Sequence, residues 1–191
     1  MKKILVVVDM QNDFIYGPLG NDDCRGAVKG CVDLCENGGF DAIFWTKDTH
    51  DVSYLQTLEG KKLPVEHCIC DTEGWRIIPE LQKYFSEDKY LIQKNTFGSL
   101  PGEYKNLPNA ILSWIDCHTT KVTDWFEPVE IHFCGVCTSI CVLSNMTIIR
   151  ALLPNTKIVL HANATGDVTP EMKKAAFVCA KAIQCEVVDE Q

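Results

Sequence analysis

No long apolar run occurs in this chain. The stretch from Ile4 to Val8 in MKKILVVVDMQNDF is halted by Asp9, too short for a signal-peptide core or a membrane span, and no later stretch is long enough either. A cytoplasmic protein without a membrane partner is the expectation. Basic residues are also in deficit, with 18 Lys and Arg against 26 Asp and Glu, for a formal charge of -8. Such a surface repels a phosphate backbone, so no nucleic-acid partner is expected. Internal repeats and low-complexity segments are missing too. Cysteine, in contrast, is plentiful: there are 11, an odd number, which in a reducing compartment reads as free thiols and not as a disulfide framework. Most of these are then small core residues, and only a few can be special.

With 191 residues and 46% apolar content, the chain suits a single domain over 1–191. Short aliphatic runs at Ile4–Val8, Ala42–Trp45, Tyr90–Ile92, Glu130–Phe133, Ile158–Leu160 and Glu186–Val188 read as strands buried on both faces. Helical spacing lies between them, at Arg25–Cys35, Thr138–Leu153 and Glu171–Ile183, the last opened by Thr169-Pro170. Strands alternating with helices predict an α/β fold: three layers, α/β/α, around a mostly parallel, doubly wound sheet of Rossmann type. Two stretches break the rhythm, at about 52–79 and 101–128. Both read as loop insertions over the carboxyl ends of the strands, where open parallel sheets keep their sites.

Three residues that follow strands or open a helix attract attention. Asp9 leaves the first strand and Lys94 leaves the strand of Tyr90–Ile92, while Cys141 falls in the first turn of the helix begun near Thr138. Alone, each has a bland reading: a turn carboxylate, a surface lysine, a small core residue. Together at one sheet edge they make a base, a charge stabiliser and a nucleophile, and a helix start favours a thiolate. A second group begins in WTKDTHD, where Asp48 and His50 stand two apart on an extended segment and point to the same side. A loop can bring His67 of KLPVEHC over them. One oxygen and two imidazoles suit divalent zinc, manganese or iron.

VVVDMQNDF, WTKDTH with the later PVEHC, the lysine of QKNTFGSL, and GVCTSICVLSN resemble the isochorismatase-like cysteine hydrolases, and among them the nicotinamidase branch, in the right order from Lys3 to about Val188. The resemblance implies a catalytic triad of Asp9, Lys94 and Cys141, and a metal site at Asp48, His50 and His67, with Glu59 near the place where some nicotinamidases add a glutamate. It also implies a cis peptide between Val136 and Cys137, with the amides of Cys137 and Cys141 forming an oxyanion hole. The implied activity is metal-dependent cleavage of a small amide, nicotinamide to nicotinate and ammonia, through a thioester on Cys141. The implied cofactor is zinc, with manganese or iron as substitutes, and family precedent implies association into homo-oligomers.

Two departures from that pattern stand out. Ser139 occupies a position where nicotinamidases commonly carry aspartate, and Leu63 stands near the place of a tryptophan that would stack on a pyridine ring. Phe14, Trp45 and Phe97 are the aromatic residues expected to wall a substrate pocket together with Leu63. Three other readings stay open: a hydrolase of another small carboxamide or N-carbamoyl compound, a binding protein that has lost turnover, and a thiol redox protein using Cys137 and Cys141 or Cys68 and Cys70.

Overall fold

A computed structural model of the chain describes residues 1–86, 90–101, 105–119 and 129–190. The order begins β1 (Lys2–Val8), α1 (Asn12–Ile15), α2 (Asp22–Asn37) and β2 (Ala42–Asp48). A 3-10 turn at Tyr54–Gln56, α3 (Leu58–Lys62) and a second 3-10 segment at Pro79–Tyr84 lead to β3 (Leu91–Lys94). Then come α4 (Leu107–His118), β4 (Val129–Val136), a π-helical turn at Thr138–Val142, α5 (Leu143–Leu152), β5 (Lys157–Gly166), α6 (Pro170–Ala182) and β6 (Glu186–Val188). Among the described residues no helix is long and apolar enough to cross a membrane.

All six strands are parallel, in the order β3-β2-β1-β4-β5-β6. The chain winds outward from β1 in one direction and from β4 in the other. The crevice beyond the carboxyl ends of β1 and β4 is therefore the topological switch point, where doubly wound sheets place ligands. Helices cover both faces, which explains why β1 is aliphatic without alternation: Ile4 to Val8 are all fully buried. Leu5, Val7, Trp45 and Cys134 pack on the face covered by α2, while Val6, Phe44 and Phe133 pack against α4, α5 and α6. Gly135, at φ +109°, permits the close approach of β4 to β1, since a Cβ there would collide with the Val8 carbonyl.

The strand readings match the sheet within three residues at each bound, except that β5 runs six residues past Leu160, to Gly166. The stretch 101–128 does not behave as the expected loop: α4 fills much of it, and Ile111, Trp114 and Ile115 sit in the core against the sheet. Its prolines misled because Pro108 occupies the first turn of α4, where a missing N–H costs nothing, and Asn106 caps the helix by accepting the Asn109 N–H at 2.8 Å. Residues 102–104 and 120–128 of that stretch lie outside the described ones. The other stretch, 52–79, carries its own short helix, α3, capped by Thr57.

Candidate active site

Asp9 is the first residue past β1 and takes a left-handed backbone, φ +49°, that turns its carboxylate back over the sheet edge. Its N–H donates to the Thr46 carbonyl at 3.2 Å, and the Thr46 hydroxyl donates to Asp9 Oδ1 at 2.6 Å. Lys94 ends β3, in register with Asp48 at the end of β2. Its Nζ lies 2.6 Å from Asp9 Oδ2, 3.7 Å from Asp48 Oδ1, and donates to Cys141 Sγ at 3.7 Å. The Asp9 and Lys94 side chains are wholly buried.

Cys141 belongs to the π-helical turn that opens the α5 helix, and the peptide between Val136 and Cys137 just before that turn is cis. Several side chains anchor the turn. The Thr138 hydroxyl bonds to Thr165 and to the Gly166 carbonyl, and Ser139 donates its N–H and its hydroxyl to Asp167 at 2.7 and 3.0 Å. Asn145 donates to the Cys141 carbonyl at 2.8 Å and accepts the Ser99 N–H at 2.9 Å, tying the turn to the segment after β3. Ser139, the departure from the aspartate of the motif, thus uses a carboxylate borrowed from the end of β5.

Burial and charge compete at every titratable atom here. Burial, with a smaller push from Asp48, carries the Asp9 carboxyl above its ordinary range against the pull of Lys94. Burial would discharge Lys94, but Asp9, Cys141 and Asp48 together outweigh it and hold the ammonium charged. The expectation of a thiolate at the helix start is corrected: burial pushes the Cys141 thiol well above its usual range, and Lys94 only partly opposes this. A resting thiol beside a carboxyl of raised basicity follows.

The second group hangs mostly outside the sheet. Asp48, His50, Glu59 and His67 each offer one ligand atom, and all four atoms lie within 4.8 Å of one another. Asp48 Oδ2 is 3.0 Å from His50 Nε2 and 3.6 Å from His67 Nε2, while Glu59 Oε1 lies 3.9 and 3.8 Å from the same two nitrogens. His67 Nδ1 donates to the Val65 carbonyl at 2.8 Å, which orients the ring so that Nε2 is the nitrogen facing the other donors. Burial works against the Asp48 carboxylate, but Lys94 and hydrogen bonds from both histidines hold it well below the ordinary range. Oxygen and imidazole donors clustered so tightly, with one ring orientation already fixed, fit a divalent ion of the zinc type.

Gln11 and Asp13 escaped the sequence reading. Gln11, fully buried, donates to the carbonyls of Asp48 and Trp75 and accepts the Asp48 N–H at 2.7 Å, clamping the end of β2. Asp13 accepts the Cys68 N–H at 2.8 Å, which fixes the loop bearing His67. Their one sequence signal is adjacency to Asp9 at the same strand end. The four expected pocket residues scatter. Phe14 rests against the His67 ring at 5.4 Å between centroids. Phe97 and Leu63 are exposed, the latter with its carbonyl accepting the Tyr54 hydroxyl at 3.0 Å. Trp45 lies in the core, edge-on to Phe85, because it points to the opposite face of β2 from Thr46 and Asp48. Tyr54 instead stands against both His50 and His67, at 4.6 and 4.8 Å. The Cys137 thiol pairs with Cys24 of α2 rather than with Cys141.

The family model described as the isochorismatase domain matches residues 3–191. The chain belongs to the isochorismatase family. Within that family it is 27% identical over 183 residues to the uncharacterized isochorismatase family protein PncA of Bacillus subtilis (strain 168), covering 90% of each chain. Among solved structures, nicotinamidase PncA from Bacillus subtilis aligns with a TM-score of 0.76 at 25% identity, over 99% of this chain and 100% of that one. Pyrazinamidase of Pyrococcus horikoshii, solved in complex with zinc, aligns with a TM-score of 0.72 at 21% identity over 100% of both chains. This isochorismatase-family chain thus shares the whole of its fold with both.

Proposed function

We propose that the chain is a metal-dependent cysteine amidohydrolase of the nicotinamidase type, with Asp9, Lys94 and Cys141 as its catalytic residues. One observation carries the reading: a single buried ammonium, Lys94 Nζ, lies within 3.7 Å of the Cys141 sulfur, the Asp9 carboxylate and Asp48 of the metal-donor group. A core would gain nothing from burying such a set, because desolvating charges is costly unless they are used or tightly paired.

As Cys141 Sγ attacks the carboxamide carbon, its proton passes to Asp9, whose raised basicity suits it to accept from a thiol. The developing oxyanion faces the amides of Cys137 and Cys141, and one such donor is worth roughly 3–4 kcal/mol in comparable sites. Asp9 returns the proton to the departing nitrogen, so ammonia leaves and a thioester remains. Asp9 then takes a proton from water as the water oxygen attacks the thioester, and the released sulfur is reprotonated. Lys94 keeps its charge throughout and restrains the two anions beside it. Asp48, His50 and His67, with Glu59, would hold a divalent ion, zinc by its donor set, which when bound supplies a Lewis-acidic anchor for a nitrogen of the substrate. Phe14 and Tyr54 offer aromatic surface beside that group.

Mass spectrometry of the intact chain mixed with nicotinamide, pyrazinamide and N-carbamoyl amides tests the reading. An acyl adduct on Cys141 and ammonia release with nicotinamide are expected. Turnover of N-carbamoyl compounds alone would move the assignment to another amide of the superfamily, and ammonia release from Cys141→Ala would remove the covalent route.

A further inference from the structure

His132 on β4 and His161 on β5 lie on the face of the sheet covered by α2, and neither belongs to the group at the strand ends. Their strands pair so that His132 sits opposite Val159, which makes His161 its diagonal neighbour. The rings meet through His132 Nδ1 and His161 Nε2, 2.9 Å apart. Each outer nitrogen faces a carboxylate: His132 Nε2 lies 3.3 Å from Glu130 Oε2, and His161 Nδ1 lies 3.2 Å from Asp189 Oδ2. Lys157 Nζ approaches the other Glu130 oxygen at 3.7 Å, and the Phe40 edge packs on the His132 ring at 5.1 Å.

An ionised carboxylate only accepts, so it draws the ring hydrogen of each histidine to the outer nitrogen. The two inner nitrogens then present lone pairs to each other, and only a cation between them satisfies both. We infer that His132 and His161 form a second binding site, for a divalent transition ion of the zinc, copper or nickel class, with Glu130 and Asp189 orienting the two imidazoles from behind. A carboxylate behind each ligating histidine is the usual support of such an ion, and imidazole is its preferred donor. Two nitrogens about 2.0–2.1 Å from a tetrahedral zinc stand roughly 3.3 Å apart, so the rings need to part by only a few tenths of an ångström. They have room, because the side chains of His132 and His161 keep 12% and 13% of their surface exposed and that of Asp189 keeps 49%, so water can complete the coordination. Bound there, the ion would tie β4 to β5 and to the turn that follows β6.

Nitrogen-15 NMR of the imidazoles during a zinc chloride titration of the full chain tests this directly, since five histidines give a resolvable spectrum and the strand-end group reports on its own residues. His132 Nδ1 and His161 Nε2 should move to metal-bound shifts at micromolar zinc. Asp189→Asn should weaken that binding about tenfold, as loss of such a support does elsewhere. His161→Gln, which keeps a polar side chain in place should His161→Ala not fold, should abolish the shift at His132. Rings that hold a shared proton and do not move at saturating zinc, or that respond only at millimolar zinc, would overturn the assignment.

Discussion

The two halves of the site at the strand ends are held in different ways. Asp9, Lys94 and Cys141 stand directly on the ends of β1 and β3 and on the turn after β4, so the sheet register sets their distances. The donors opposite them come mainly from the segment after β2, where Asp13 holds the Cys68 N–H beside His67, the Val65 carbonyl orients the His67 ring, and Gln11 clamps Asp48 at the strand end. Asp48 belongs to both halves. A reacting atom needs a fixed neighbour, and the sheet supplies one; a loop-borne donor set can adapt to an ion and to a substrate of variable shape. The first half should therefore tolerate almost no change, and the second should lose affinity gradually.

Substitutions can break that contrast. The largest effect is expected from Cys141→Ala, which should lower kcat by about 10^4-fold or more while leaving the urea midpoint nearly unchanged, as measured by ammonia release and denaturation. Lys94→Met comes next, because it strands Asp9 and Asp48 as buried carboxylates; a loss of about 3–5 kcal/mol in stability is expected from urea unfolding. A Lys94→Met chain as stable as the parent would show that the ammonium is not what holds the strand-end half together. Asp13→Ala should cost only about 1 kcal/mol in stability and weaken zinc binding by about 10- to 100-fold in a competition titration, since it removes the acceptor of the Cys68 N–H and frees the loop that carries His67. Equal losses of stability from Asp13→Ala and Lys94→Met would erase the distinction.

The smallest effect sharpens the proton assignment. Asp9 must be ionised to take the thiol proton, and burial raises its carboxyl above the ordinary range. At saturating zinc, kcat/KM should therefore rise with pH through that raised value, with its acid limb at higher pH than an unperturbed aspartate near 3.8 would give. An acid limb at the unperturbed position would assign the proton to another group.

Much of this was legible in the chain, for identifiable reasons. Continuous aliphatic runs mark strands covered on both faces, and in a parallel sheet their carboxyl ends share one edge, so Asp9, Lys94 and Asp48 could be placed near one another without coordinates. Side-chain parity was available but unused for Trp45, which differs by an odd number of positions from Thr46 and Asp48 and so had to face away from them. The helix at Leu107–His118 was hidden by prolines that bound it rather than break it. Gln11 and the histidine pair were not legible at all. Gln11 acts through backbone groups of distant residues, and the pairing of His132 with His161 depends on the register between two strands, which local sequence does not encode.

Gly135 has a consequence beyond its own backbone. It works as a spacer of minimum thickness between two parallel rods, set at the height where one rod releases Asp9 and the other the turn that carries the Cys141 sulfur. Any bulkier unit there would wedge the rods apart at their carboxyl ends, so the smallest residue in the chain helps set the gauge between Asp9 and Cys141.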